Sequence, residues 1–152
     1  MRSRTCRASC TATRRSRRVG LGEAQARERG HDVHVARFPT RANGRALTTG
    51  ETEGFVELVA DAVTRELLGA QIVGARAAEL IAEVALGRVL ETTPLELIAT
   101  VHAHPTFAEA TREAALMLEG RGVHFFSGGA RASERPAVGD GDTAGLTRPR
   151  RA

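Results

Sequence analysis

The densest run of reactive side chains in this sequence is His102-Ala103-His104-Pro105-Thr106-Phe107-Ala108-Glu109. Imidazole is the side chain that titrates nearest neutrality. A carboxylate that accepts the proton of one ring nitrogen fixes the tautomer and raises the basicity of the other nitrogen. Pro105 biases His104 toward extended backbone and suits the first turn of a following helix, which would place Glu109 about one and a half turns in. His104 then stands in a loop at a helix mouth, with a carboxylate in range of its ring. That arrangement is a general base. A His-Pro step ahead of a helix is also a common structural feature, and spacing alone leaves both readings open.

Other constellations offer less. His102-x-His104 with His31, His34 or His124 has no Cys or carboxylate at the spacing a metal site needs, so no metal is expected. Cys6 and Cys10 are the only cysteines; both lie in an Arg-rich leader and form no disulfide framework. Gly20-Leu21-Gly22 lacks the third glycine and the preceding strand of a dinucleotide fingerprint.

The elements that would position the histidines lie between two polar ends. Gly22 to Arg29 reads as a short helix closed by Gly30, and Val33 to Phe38 as a half-buried strand stopped by Pro39. Asn43-Gly44 is a turn signal, and Thr48 to Glu53 reads as a loop. Phe55 to Ala60 and Leu67 to Val73 are two further strands joined by a hairpin connection. Ala77 to Leu90 places Leu80, Ile81, Val84 and Leu90 at helical spacing, with Glu79 and Glu83 turned elsewhere. Leu95 to Val101 and Phe107 to Leu118 complete the set as two shorter helices. Strands followed by helices predict an α+β fold, an antiparallel sheet of three or more strands with helices packed on one side.

Composition sets the limits of this module. The chain has 152 residues, enough for one domain with one modest core, and its five Phe without Trp or Tyr leave that core to aliphatic side chains. All 22 basic residues are Arg, and the net charge of +4 is unevenly placed: residues 1–18 hold seven Arg and no acid, whereas residues 19–130 carry five more acids than bases. The leader 1–18 and the tail 127–152 bury too little apolar surface to offset their ordering entropy, so both are expected to be disordered around a folded domain at 19–126. No apolar run is long enough to span a bilayer and no signal core follows the leader, so the chain reads as soluble and cytoplasmic, without a membrane partner. An organellar transit peptide would need a spaced apolar stripe that Arg14 to Arg18 lack.

Five segments in order, VGLGEAQARERG (19–30), ARFPTRANGRAL (36–47), ETEGFVELVAD (51–61), LLGAQIVGARAAELIAE (67–83) and VHAHPTFAEATREAALML (101–118), resemble the C-terminal dimerisation domain of dihydrolipoamide dehydrogenases among the flavin-dependent disulfide reductases. The resemblance spans Val19 to Phe125. It implies that His104 is a catalytic acid/base oriented by Glu109, serving the thiol chemistry of the other subunit of a homodimer or of a flavoprotein subunit. His102 and Pro105 would lie near that subunit's flavin, with a packing role the leading alternative for His102. FAD and NAD are implied for the full-length family and none is expected in this chain. The family's further partners are the lipoyl domains of 2-oxo acid dehydrogenase complexes.

The chain departs from the family in three ways. The leader does not resemble what normally precedes this domain, as a shifted reading frame or mis-called start would produce. The redox cysteine pair is missing. Glu57 stands where the family often has Lys, and Ala108 where a small hydroxyl residue is common. The leading expectation is therefore an interface module without activity of its own. A separately encoded subunit of a split flavoenzyme is the alternative, and an anionic-polymer binder acting through the basic ends is a third. Nucleic acid is not expected as a partner, because no aromatic interleaving or recognition fold accompanies the Arg residues.

Overall fold

The computed structural model describes residues 10, 11 and 14–123. The strands are β1 (Cys10–Thr11), β2 (Arg14–Gly20), β3 (Val33–Pro39), β4 (Gly54–Asp61) and β5 (Leu67–Gly74). The helices are α1 (Glu23–Glu28), α2 (Gly44–Thr49), α3 (Ala77–Val89), α4 (Pro94–Ala99) and α5 (Glu109–Leu118), with a short 3-10 turn at Thr40–Ala42. All strand pairs are antiparallel, in the order β1-β2-β5-β4-β3.

Alternation along the strands builds two apolar faces. One face carries Phe38, Val56, Leu58, Ala70 and Ile72, which pack under Ile81 and Val84 of α3, Leu97 of α4, and Ala114 and Leu118 of α5. Fully burying each large aliphatic or aromatic side chain here contributes roughly 1.5–3 kcal/mol before entropy is subtracted. The other face carries Val33, Val59 and Leu68, covered by Ala26 of α1. A register shift at Val59/Ala60, which pair with Gly69 and Leu67, leaves Leu68 as the extra residue of a bulge. The bulge resets the alternation, so Leu67 and Ala70 reach the larger core while Leu68 joins the smaller one.

Glu57 is 8% exposed in β4, and its place in the strand is explained by its neighbour across the ladder. Arg37 pairs with it in register and donates from Nε to its carboxylate at 2.9 Å, while the guanidinium stacks on Phe55 at 4.3 Å from the ring centroid.

The structure corrects several expectations. The boundary of the folded module set at Val19 is too late: Arg14–Gly20 is a sheet strand, with Ser16 to Gly20 paired to Val73 to Gly69 of β5. Its charge hid it, because the ladder is backbone and Arg stems lie along a sheet while their heads reach water or a partner such as Gln71, 2.9 Å from Arg18. Asn43-Gly44 is not a bare turn but the start of α2, with Asn43 Oδ1 accepting from the amide of Ala46 at 3.0 Å. Leu90 was placed on the buried face of α3, yet it lies past the helix end and is 64% exposed. Cys10–Thr11, also placed in the disordered leader, pairs with β2 as β1, while residues 1–9, 12 and 13 and the tail from Ser127 fall outside the described residues. Among the described residues no helix is long and apolar enough to cross a membrane.

Candidate functional site

The connection between α4 and α5 is irregular and bends at His104-Pro105, and its two histidines differ sharply in burial. The His102 side chain is 5% exposed and the His104 side chain 77%. His104 Nδ1 lies 2.8 Å from Glu109 Oε1. A carboxylate only accepts, so Nδ1 donates, and in the neutral ring this tautomer leaves the lone pair on Nε2. The second carboxylate oxygen, Oε2, accepts from the amide of Thr106 at 2.8 Å, which fixes the carboxylate from the loop itself.

Sequence reasoning brought His104 and Glu109 together correctly in space but misjudged the local backbone. Pro105 does not open the helix: α5 begins at Glu109, which is its first residue and not one and a half turns in. The residues 105–108 instead form a bent connection, with Thr106 Oγ1 donating to the carbonyl of Ala103 at 2.7 Å. His102 faces inward: Nε2 lies 2.9 Å from Glu83 Oε1 of α3 and Nδ1 3.1 Å from the carbonyl of Thr100. Pro105 is exposed at the loop surface.

Two residues that the sequence did not flag complete the frame. Asn43, 3% exposed, caps α2 with its Oδ1 and donates from Nδ2 to the carbonyl of Thr106 at 3.0 Å. The Asn-Gly signal pointed to this position but not to its second bond, which spans sixty-three residues of sequence. Glu83 was noted only for pointing away from the core, and its partner is nineteen residues on.

Beside the histidine runs a cleft of about 580 Å³, whose lining includes Phe38, Leu47, Ile98, His102, His104 and Glu109. Leu47 and Val101 are 60% and 95% exposed, giving the site an apolar rim. The floor is set by α4, whose start is a capping box: Thr93 Oγ1 accepts from Leu95 N, and the Thr93 amide and hydroxyl donate to Glu96. Those bonds, the Thr93 hydroxyl first, hold the Glu96 carboxyl below its ordinary range.

Strand β2 does precede Gly20-Leu21-Gly22, contrary to the sequence reading, but the step is not shaped as a phosphate cradle. A Cβ at Gly20 would lie 2.2 Å from the carbonyl oxygen of Leu68, so that glycine serves contact with its own sheet and opens no phosphate cradle. Gly22 leads into a six-residue helix whose first residue is the acid Glu23.

A four-stranded antiparallel core sheet under helices, with a carboxylate-bound imidazole standing out from it, defines a domain of the flavin disulfide reductase dimerisation class. The chain belongs to the pyridine nucleotide-disulphide oxidoreductase dimerisation-domain family, whose pattern matches residues 17–115. It is 45% identical over 107 residues to the dihydrolipoyl dehydrogenase of Bacillus subtilis, covering 70% of this chain and 23% of that one. It is 51% identical over 106 residues to the dihydrolipoyl dehydrogenase of Halobacterium salinarum, covering 70% and 22%. Among solved structures it is similar to LpdA of Mycobacterium tuberculosis, with a TM-score of 0.71 and 25% identity over 78% of this chain and 26% of that one. It is also similar to the HOCl-induced flavoprotein disulfide reductase RclA of Escherichia coli, with a TM-score of 0.64 and 28% identity over 67% and 23%. The chain thus spans about a quarter of the length of these relatives. The family depends on FAD and NAD and uses this domain to form homodimers.

Proposed function

We propose that this domain supplies an acid/base histidine, His104, to a flavin-bearing subunit that oxidises dihydrolipoamide, and that the domain is inactive without that subunit. The observation that carries this reading is the geometry of one ring: Nδ1 is bound to Glu109 at 2.8 Å while the side chain is 77% exposed. The bound nitrogen fixes the tautomer and the free Nε2 faces outward, where a substrate thiol can reach it.

The chemistry asked of this chain is a proton transfer. A thiol is a poor nucleophile and its thiolate a good one. Nε2 takes the S–H proton, leaving the electron pair on sulfur, and Glu109 stabilises the imidazolium that results. In the reverse direction the same nitrogen returns the proton. Leu47, Val101 and the cleft beside His104 form the surface that the partner subunit would cover, excluding water from the transfer. FAD and NAD belong to that subunit, and the lipoyl domain of a 2-oxo acid dehydrogenase complex is the carrier of the thiol. The site of action is then the cytoplasm, where such thiols stay reduced.

The test is reconstitution. The purified chain with dihydrolipoamide and NAD⁺ should give no NADH. Addition of a flavin-bearing dihydrolipoyl dehydrogenase subunit deprived of its own dimerisation domain should restore turnover, and a chain carrying His104→Gln should not. Turnover by the chain alone, or equal rescue by His104→Gln, would overturn the proposal.

A further inference from the structure

The acid/base histidine has only one described hydrogen-bond partner, Glu109, and its side chain is otherwise open to solvent. Its position therefore depends on the loop backbone that carries it. That backbone has a second histidine two residues earlier, buried and bonded at both ring nitrogens. One partner, the carbonyl of Thr100, belongs to the end of α4; the other, the carboxylate of Glu83, projects from the second turn of α3.

We propose that His102 is a positioning residue for His104: its ring bridges the loop to Glu83 of α3 and so holds the neighbouring outward ring on Glu109. The inference deepens the reading of His104 as the base, and it rests on that reading only for its catalytic consequence.

Three features of the geometry support the bridge. His102 lies only two residues before His104, so a ring anchored at both nitrogens limits how far the backbone beneath His104 can shift. The bridge also joins the loop to an element that Thr106 does not touch: Asn43 and Glu109 hold the loop's far end through Thr106, whereas His102 holds its near end to α3. Finally, both ring nitrogens lie within hydrogen-bond reach of fixed groups, Nε2 of the Glu83 carboxylate and Nδ1 of the Thr100 carbonyl. A ring whose role was to fill space would need neither partner. Glu83, half-buried on α3, has in His102 the cation or donor it requires.

The experiment uses the full chain labelled with ¹⁵N-histidine, and long-range proton–nitrogen correlations that report which nitrogen of each ring is protonated, at about pH 8, above the ordinary histidine range. In the parent, His104 should be chiefly the Nδ1–H tautomer. In His102→Ala the ratio of Nδ1–H to Nε2–H at His104 should fall roughly two- to tenfold, the change expected from weakening one ordinary hydrogen bond. Glu83→Ala should reproduce that fall. Glu83→Gln, whose amide can still meet the ring, should largely restore the parent ratio. Unchanged amide shifts across β3, β4 and β5 establish that each variant is folded; should His102→Ala unfold, the Glu83 pair carries the test alone.

A His104 tautomer that ignores both His102→Ala and Glu83→Ala overturns the inference. So does Glu83→Gln behaving like Glu83→Ala. The two proposals fail separately: if His104 is not the base, His104→Gln rescues the reconstituted enzyme, while the tautomer response to His102 and Glu83 is unaffected.

Discussion

Two histidine–carboxylate pairs stand at opposite ends of this sheet, and they do different work with the same groups. At the hairpin end, where Val33 pairs with Asp61, His31 Nδ1 lies 2.7 Å from Asp61 Oδ2. Beyond the other end, where Pro39 pairs with Phe55, the chain turns into Asn43 and the loop of His104 and Glu109. Each carboxylate spends its second oxygen on backbone amides: Asp61 Oδ1 accepts from Val63 at 2.8 Å and Thr64 at 3.0 Å, and Glu109 Oε2 accepts from Thr106. The difference lies in the rings. His31 is 35% exposed and lies against the turn that Asp61 closes, whereas His104 is 77% exposed beside a cleft. A short His–carboxylate contact is therefore not a sign of catalysis by itself; what the free nitrogen faces decides its use.

The strongest way to break this comparison is to remove one ring function at each end in a reconstituted enzyme. His104→Gln should lower dihydrolipoamide oxidation by roughly 100- to 10,000-fold, the usual range for a positioned acid/base. His31→Gln should leave the rate within about twofold, because the group lies at the far end of the sheet and a rate change needs a change at the reacting proton. Initial rates with saturating NAD⁺ would measure both. Equal losses would mean that the hairpin pair matters to the chemistry, and the contrast would be lost.

A change in the shared core should not discriminate between the two ends. Leu58, fully buried in β4, packs in the cluster that unites the sheet with α3, α4 and α5. Leu58→Ala should cost about 2–5 kcal/mol, measured as a shift in the urea midpoint. Fluorescent or NMR probes placed at either end should melt together in the parent and in the variant. Separate transitions would show that the two ends are independent units, and the comparison would become one between subdomains.

Asn43→Ala addresses the loop end alone. It removes the cap of α2 and the bond to the Thr106 carbonyl, and should cost roughly 1–3 kcal/mol in the same assay. Amide hydrogen exchange should quicken at Ala103 to Phe107 while Asp61 to Glu66 keeps its protection. Loss of protection at both ends would show that Asn43 supports the whole fold rather than the histidine loop.

How much of this was legible in the sequence follows from the range of each interaction. The pairs β3–β4 and β4–β5 and the helix α3 were readable because apolar period and turn residues are local signals. The His104–Glu109 pair was open on spacing alone and was singled out by the family resemblance, and the path between the two was not legible, since Pro105 sits in a bent connection ahead of α5. Strand β2 was hidden because its partner, β5, lies some fifty residues away and its own Arg side chains show no alternation. The bonds from Asn43 to Thr106 and from Glu83 to His102 were hidden for the same reason: each joins elements whose proximity only the fold creates. Glu57 departs from the family's usual Lys, and its partner Arg37, twenty residues earlier, faces it only once β3 and β4 pair.

The smallest effect expected sharpens the comparison from the hairpin side. Asp61 is held at a pKa of about 2, from an ordinary 3.8, chiefly by the amide of Thr64, then by His31 and the amide of Val63, against a smaller opposing cost of desolvation. Its folded value lies below its unfolded one. The stability it contributes is therefore complete above about 3.8 and is lost as the pH falls through about 2. Asp61→Asn keeps a side-chain oxygen for the turn but cannot titrate, so it should lower the melting temperature modestly at neutral pH and make the acid decline shallower. Melting curves for parent and variant should converge as the pH falls through that window, while the His104 tautomer at neutral pH stays the same in both. Parallel decline of the two curves would show that the charge of Asp61 does not hold the hairpin, and the two pairs would then differ only in exposure.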